Sequence, residues 1–392
     1  MKRLRLAIFG MLLSLALVLP GWAADWGIVA NGANGTISMV EFKNGADPKV
    51  HGPFLAGEMG SGAEVLDIAV TPDGDIALIS SYQNSTVYFM DIGNPFEPSI
   101  LGSIEISVFP EDIALTSDGR YAMVADGASN NKVALLDVQA RTLLAEYELQ
   151  TGNGTAGAHA VAIAPDNETV IICDYFSKLV IFGRLDTSTG LTGEASLPAP
   201  GWPVNVTVAP DGQTVLVANY EDDTVGVFRI TEPGVIVPGV TPSVSGLPGG
   251  QQSIIFSKTG TRAYVLSTSS SPDSLSSLIV QGPGQVILET SEVVSVFSDA
   301  SGAYFGVDAM ALLNDGRILV GNPSTSGSVT KLALVSPDTW TVTGIETGIE
   351  YPAGVAVKCG PACRYVIPYL STNIQNGWNG CGVSNILNAK TN

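Results

Sequence analysis

Seven polar side chains fall at one point of a repeating pattern: Asp67, Glu111, Asp112, His159, Asn205, Gln252 and Asp308. Grouped carboxylates with amide oxygens suit a hard divalent cation, Ca²⁺ or Mg²⁺, and Asp67, Asp112 and Asp308 are the candidate ligands. A carboxylate crowded by like charges or set beside an imidazole has the chemistry of a general acid or base. His159 is one of two histidines in the chain, so Glu111 and His159 are the candidate catalytic groups. The plain alternative is a solvated polar ring with no chemistry.

What brings these residues together is an internal repeat. An alternating apolar strand runs into a tight turn, then a second strand, a polar hairpin and a third strand. The turns read Pro72-Asp73-Gly74, Ser117-Asp118-Gly119, Pro165-Asp166-Asn167, Pro210-Asp211-Gly212, Lys258-Thr259-Gly260, Asn314-Asp315-Gly316 and Cys359-Gly360-Pro361, spaced by 45, 48, 45, 48, 56 and 45 residues. Asp-Gly supplies the positive φ that a short hairpin needs. Three or four strands in about 45 residues, seven times over and without an amphipathic helix, predict an all-β seven-bladed β-propeller. In that fold the first strand of each blade lines a central channel, and the seven polar residues sit where those strands enter it. A stacked solenoid is the other architecture with such a period.

The segments Val217-Ala218-Asn219-Tyr220 with Thr224-Val225-Gly226-Val227, Val29-Ala30-Asn31 with Thr36 to Val40, and Tyr121 to Asp126 with Lys132 to Asp137 resemble the YVTN-type β-propeller repeat. Pro110, Pro203 and Pro352 resemble its first-strand opening, and Met90-Asp91-Ile92-Gly93-Asn94-Pro95 is similar to the LVIVD repeat of exported propellers. The resemblance covers roughly residues 26–370. It implies the fold, and it implies function only loosely, because such repeats serve lactonase-like enzymes, surface proteins and redox proteins. The lactonase branch uses His, Glu and Arg around the channel. Here His159 and Glu111 occupy suitable positions, but Arg120, Arg262, Arg317 and Arg364 all lie just after turns, on second strands.

The ring is expected to close with strands from both termini. Residues 27–42 read as second and third strands without a first, and Gly354 to Lys358 as a first strand without a complete blade. Tyr365 to Pro368 competes for the second-strand slot, and the N-terminal piece is favoured because its third strand follows directly. Lys2, Arg3 and Arg5 before an apolar run predict a cleaved signal peptide over residues 1–23, with an uncleaved anchor as alternative. Residues 24–370 are then the propeller and residues 371–392 a tail. Export permits disulfides, and Cys359–Cys363 is the expected bridge, with Cys381 as competing partner and Cys173 buried and free. Cys-x-x-Cys-His is absent, so a c-type haem is not expected.

Cutting after residue 23 takes the formal charge from −19 to −22. A chain so acidic repels nucleic acid and anionic membranes. No segment after residue 23 is long and apolar enough for a transmembrane span. The expected product is a periplasmic or extracellular monomer that meets a protein or small polar ligand through its channel mouth and loops. Since fold alone implies no chemistry, the leading expectation is a non-catalytic binding or scaffold protein. The alternative is a lactonase-like hydrolase acting on a small sugar-derived or polar substrate. Three further readings are minor. His51 is a solvated loop histidine, Gly152 to Gly157 leads into a strand and not a helix, so a phosphate cradle is not supported, and Ser267 to Ser277 is an extended hairpin that accounts for the spacing of 56.

Overall fold

A computed structural model describes residues 25–32, 35–43, 47–55, 57–60, 63–128, 131–150, 157–268, 273–289, 294–297, 309–321, 332–345 and 352–358. The expected signal peptide, the tail, Asp308, Cys359, Cys363, Cys381, Arg364 and Tyr365 to Pro368 lie outside the described residues. The chain forms seven antiparallel sheets arranged as a β-propeller. Their inner strands are Val65–Val70, Pro110–Leu115, Ala158–Ile163, Pro203–Val208, Gln251–Phe256, Met310–Leu312 and Pro352–Lys358, defining blades 1 to 7. Each inner strand packs beside the next, and Pro352–Lys358 packs beside Val65–Val70 to complete the circle.

Blade 7 is built from both ends of the chain. Pro352–Lys358 is its inner strand, followed outward by Asp25–Asn31, Thr36–Phe42 and Lys49–Phe54. The N-terminal segment therefore takes the second-strand slot, as expected. At six of the turns between first and second strands the predicted backbone is present: Gly74, Gly119, Asn167, Gly212, Gly260 and Gly316 all have positive φ.

Among the described residues the apolar core is divided. Seven apolar clusters each fill the seam between two adjacent blades. Strand alternation explains this, because successive side chains point to opposite faces of a sheet. Ile28 and Ala30 pack toward blade 1, whereas Val29 between them packs toward blade 6. Every blade thus depends on both neighbours. Along the axis the inner strands enclose a cavity of about 130 Å³, lined mainly by aliphatic side chains such as Ile68, Ile113, Val206, Ile254, Met310 and Val355.

Two local expectations are corrected. His51 is not a solvated loop residue. It lies in Lys49–Phe54, its ring centroid 5.4 Å from Trp26 and 5.2 Å from Phe96, with Nε2 3.4 Å from Glu41 Oε2. The long spacing in blade 5 does not come from its hairpin either, since Arg262–Ser267 and Asp273–Gly282 are separated by an ordinary interval. The extra residues follow the outer strand Gln285–Leu288, where Val294–Phe297 pairs as a fifth strand. Cys173 is buried and free, as expected.

Candidate functional site

The inner strands do not alternate regularly at their channel mouths. Pro110 pairs with Asp126 and Asp112 with Ala125, which leaves Glu111 as an extra residue. The same one-residue bulge falls at His159, Val204, Gln252 and Ala353. A bulge places two residues opposite one and re-aims a side chain. Here it separates the jobs of consecutive polar residues.

The residue after the bulge serves the seam. Asp112 Oδ2 accepts a hydrogen bond from the Val161 N–H of blade 3 at 2.7 Å. Asp67 Oδ2 accepts from Ile113 N–H at 3.0 Å, and Asn205 Oδ1 from Ile254 N–H at 3.0 Å. All three side chains are buried. They staple seams 1/2, 2/3 and 4/5, satisfying buried amides that no ladder partner reaches. Gly354 holds the corresponding position in blade 7. A Cβ there would stand 2.5 Å from Leu66 O, so the closing seam uses direct backbone approach instead.

The bulge residues of blades 2 and 3 meet each other. His159 Nε2 lies 3.3 Å from Glu111 Oε1, with both side chains almost wholly buried. The His159 ring stacks on Tyr175 at 5.5 Å and 28°, and Tyr175 lies 5.1 Å from Trp202 at 37°. Loop geometry around Glu111 is fixed by Asp126, whose Oδ1 accepts from Phe109 N–H at 3.0 Å and Ala128 N–H at 3.2 Å. Between them Gly127 N–H donates to Phe109 O at 2.9 Å. The mouth is electronegative. Burial, followed by the charges of Glu111, Asp126 and Glu64, pushes the Tyr82 phenol up. Burial, followed by Tyr220 and Glu221, does the same for Tyr175.

The seven residues expected at the mouth therefore separate by role. Glu111 and His159 form a pair. Asp67, Asp112 and Asn205 are seam staples. Gln252 is buried in its bulge, and Asp308 is not described. Among the described residues no three His, Cys, Asp or Glu side chains group so that they could hold a metal ion. The aliphatic cavity takes no part in this pair, since neither Glu111 nor His159 lines it. Sequence reasoning passed over Tyr175 and Gly127, and read Gly157 only as the end of a glycine-rich lead into a strand. The available signal was a break in a pattern, since the residue after the second strand is Tyr82, Tyr175 and Tyr220 in blades 1, 3 and 4 but Gly127 in blade 2.

No protein-family model and no curated protein sequence matches the chain. Solved structures of the same fold do. The periplasmic gluconolactonase of Pseudomonas aeruginosa is 17% identical, with TM-score 0.68 over 86% of this chain and 100% of its own. A putative 6-phosphogluconolactonase of Bacteroides fragilis is 15% identical, with TM-score 0.63 over 86% and 98%. A functionally unknown protein of Desulfotomaculum acetoxidans is 18% identical, with TM-score 0.67 over 86% and 99%. Two of these three are named as lactonases, one of them putatively, and the likeness at this identity is one of fold. The expectation of a non-catalytic scaffold is corrected by these neighbours, which favour the alternative over it. Among the described residues no helix is long and apolar enough to cross a membrane.

Proposed function

We propose that this protein is an exported lactonase-like hydrolase that opens a small sugar-derived or otherwise polar lactone at the channel mouth. The observation that carries the reading is the contact of Glu111 with His159 on two neighbouring bulges. The imidazole contacts the Glu111 carboxylate, and the carboxylate is the group that takes a proton. In the proposed step Glu111 takes that proton from water as the water oxygen bonds to the lactone carbonyl carbon. The ring C–O bond then breaks, and the proton passes to the departing ring oxygen. The product is the open hydroxy acid, with no cofactor consumed. His159 holds the carboxylate in place and shares its charge, and Tyr175 fixes the imidazole plane. General acid–base catalysis of this kind contributes roughly 10²–10⁴-fold. The fold neighbours named as lactonases support the reading, and a periplasmic one supports export.

The test is hydrolysis of glucono-δ-lactone by the purified protein, followed by acid release against a buffer blank. Turnover is expected, and Glu111→Gln and His159→Ala should each lower kcat/KM by about 10²-fold or more with the melting temperature kept. Absence of turnover above the blank, or full activity in both variants, would overturn it.

A further inference from the structure

At the channel mouth each seam offers two positions for a ring. One is the residue after the second strand: Tyr82, Gly127, Tyr175 and Tyr220 in blades 1 to 4. The other lies two residues before the bulge: Phe109, Gly157, Trp202 and Gly250 in blades 2 to 5. Across seam 1/2 Tyr82 meets Phe109 at 5.4 Å, and across seam 3/4 Tyr175 meets Trp202 at 5.1 Å. Of these four seams, 2/3 alone has glycine at both positions, and it is the seam in which Glu111 and His159 meet.

The glycines are there for space. A Cβ on Gly127 would lie 2.1 Å from Glu111 Oε2 and 2.8 Å from Glu111 Cβ. The carboxylate thus occupies the room that a tyrosine fills in three other blades. A Cβ on Gly157 would lie 2.7 Å from Cδ2 of Phe176, an exposed ring on the next hairpin.

Charge is divided between the two ends of the channel. Arg120, Arg184, Arg229, Arg262 and Arg317 lie toward the turn end, at the starts of second strands or the ends of third strands, and Arg141 lies in the turn between Lys132–Asp137 and Thr142–Glu148 at the same end. These are all the arginines among the described residues. At the mouth end the described cations are Lys132 and Lys178. Lys178 Nζ is paired with Glu221 and sits 5.8 Å from the Trp202 ring centre, while Lys132 reaches Ser107 at 3.4 Å. Glu64, Glu111, Asp126, Glu221 and Asp222 face the same end.

We infer that Gly127 fixes the place of the Glu111 carboxylate in seam 2/3, and that the acidic mouth around this pair selects an uncharged lactone over its phosphorylated counterpart. This rests on the hydrolase reading and specifies its substrate class. Gly127 is a positioning residue, acting through Glu111. Among the described residues no guanidinium lies at that end to receive a phosphate, which would meet carboxylates instead, and like charge is strongly unfavourable there.

The experiment compares glucono-δ-lactone with its 6-phosphate on the wild-type protein, Gly127→Ala and Gly157→Ala, with melting temperatures measured alongside. The wild type should prefer the neutral lactone by at least about tenfold in kcat/KM, by a margin that shrinks as salt screens the mouth. Gly127→Ala displaces the carboxylate and should lower kcat by roughly 10²-fold with KM little changed. Gly157→Ala presses on the exposed Phe176 ring and not on the carboxylate, so it is the control and should keep kcat. Should Gly127→Ala fail to fold, the wild-type preference decides. Turnover that is indifferent to phosphate, or to Gly127→Ala in a folded variant, overturns the inference. Complete absence of wild-type turnover overturns the hydrolase reading itself.

Discussion

Glu111 and Asp112 are chemically near-identical neighbours in one strand, and the bulge between Pro110 and Asp112 gives them unrelated work. Glu111 joins His159, whereas Asp112 reaches across the seam to the Val161 amide. The staple predicts a stability effect that separates from activity at Glu111. Asp112→Ala strands a buried N–H and should cost about 1–3 kcal/mol, read as a lower urea midpoint with an unchanged slope. Asp112→Asn keeps an acceptor oxygen and should recover most of that loss. Equal stability of the alanine variant and the wild type would show that the amide has another acceptor. Both carboxylates were legible in the sequence as polar residues at a strand entry. Their division of labour was not, because an alternating pattern read along one strand does not reveal where the partner strand skips a residue.

Neighbouring blades are also tied along their outer strands. Tyr147 in Thr142–Glu148 donates its hydroxyl proton to Glu194 Oε2 in Gly190–Pro198 at 3.0 Å. Burial, then the hydrogen bond to Glu194 and its charge, pushes the Tyr147 phenol from its ordinary 10.0 up to about 12. The neutral phenol is the form the fold prefers. Its contribution is therefore fully present below pH 10 and is lost as pH rises through about 12. Tyr147→Phe should be less stable than the wild type near neutrality, with the gap closing between pH 10 and 12 in denaturant titrations. A gap constant across that window would remove Tyr147 as its source. Elements of this kind were readable in outline. Pro110, Pro203 and Pro352 each open an inner strand as the sequence indicated. The fifth strand of blade 5 was not anticipated, because a spacing of 56 says that residues are extra without saying where they pair.

At the scale of the whole ring, the closing blade decides whether seven sheets form one body. Pro352–Lys358 pairs with Asp25–Asn31 along its length, and the clusters on either side of blade 7 unite both ends of the chain with blades 1 and 6. A chain ending at residue 351 loses that inner strand and exposes the edge of Asp25–Asn31. It should melt at lower temperature and associate through the uncovered edge, as seen by size-exclusion chromatography. A monomer with the wild-type melting temperature would show that closure lends the ring no stability.

The sequence by itself determined the repeat, the count of seven, the turn chemistry and the use of both termini, because each follows from local periodicity and from the backbone preferences of Asp, Gly and Pro. It also marked Glu111 and His159 as residues of interest. Only the tertiary structure decided that these two touch, that Asp67, Asp112 and Asn205 are spent on seams, and that Gly127 leaves the space the Glu111 carboxylate occupies. Those facts depend on distances between blades some 45 residues apart in the chain, set by how seven twisted sheets pack around an axis.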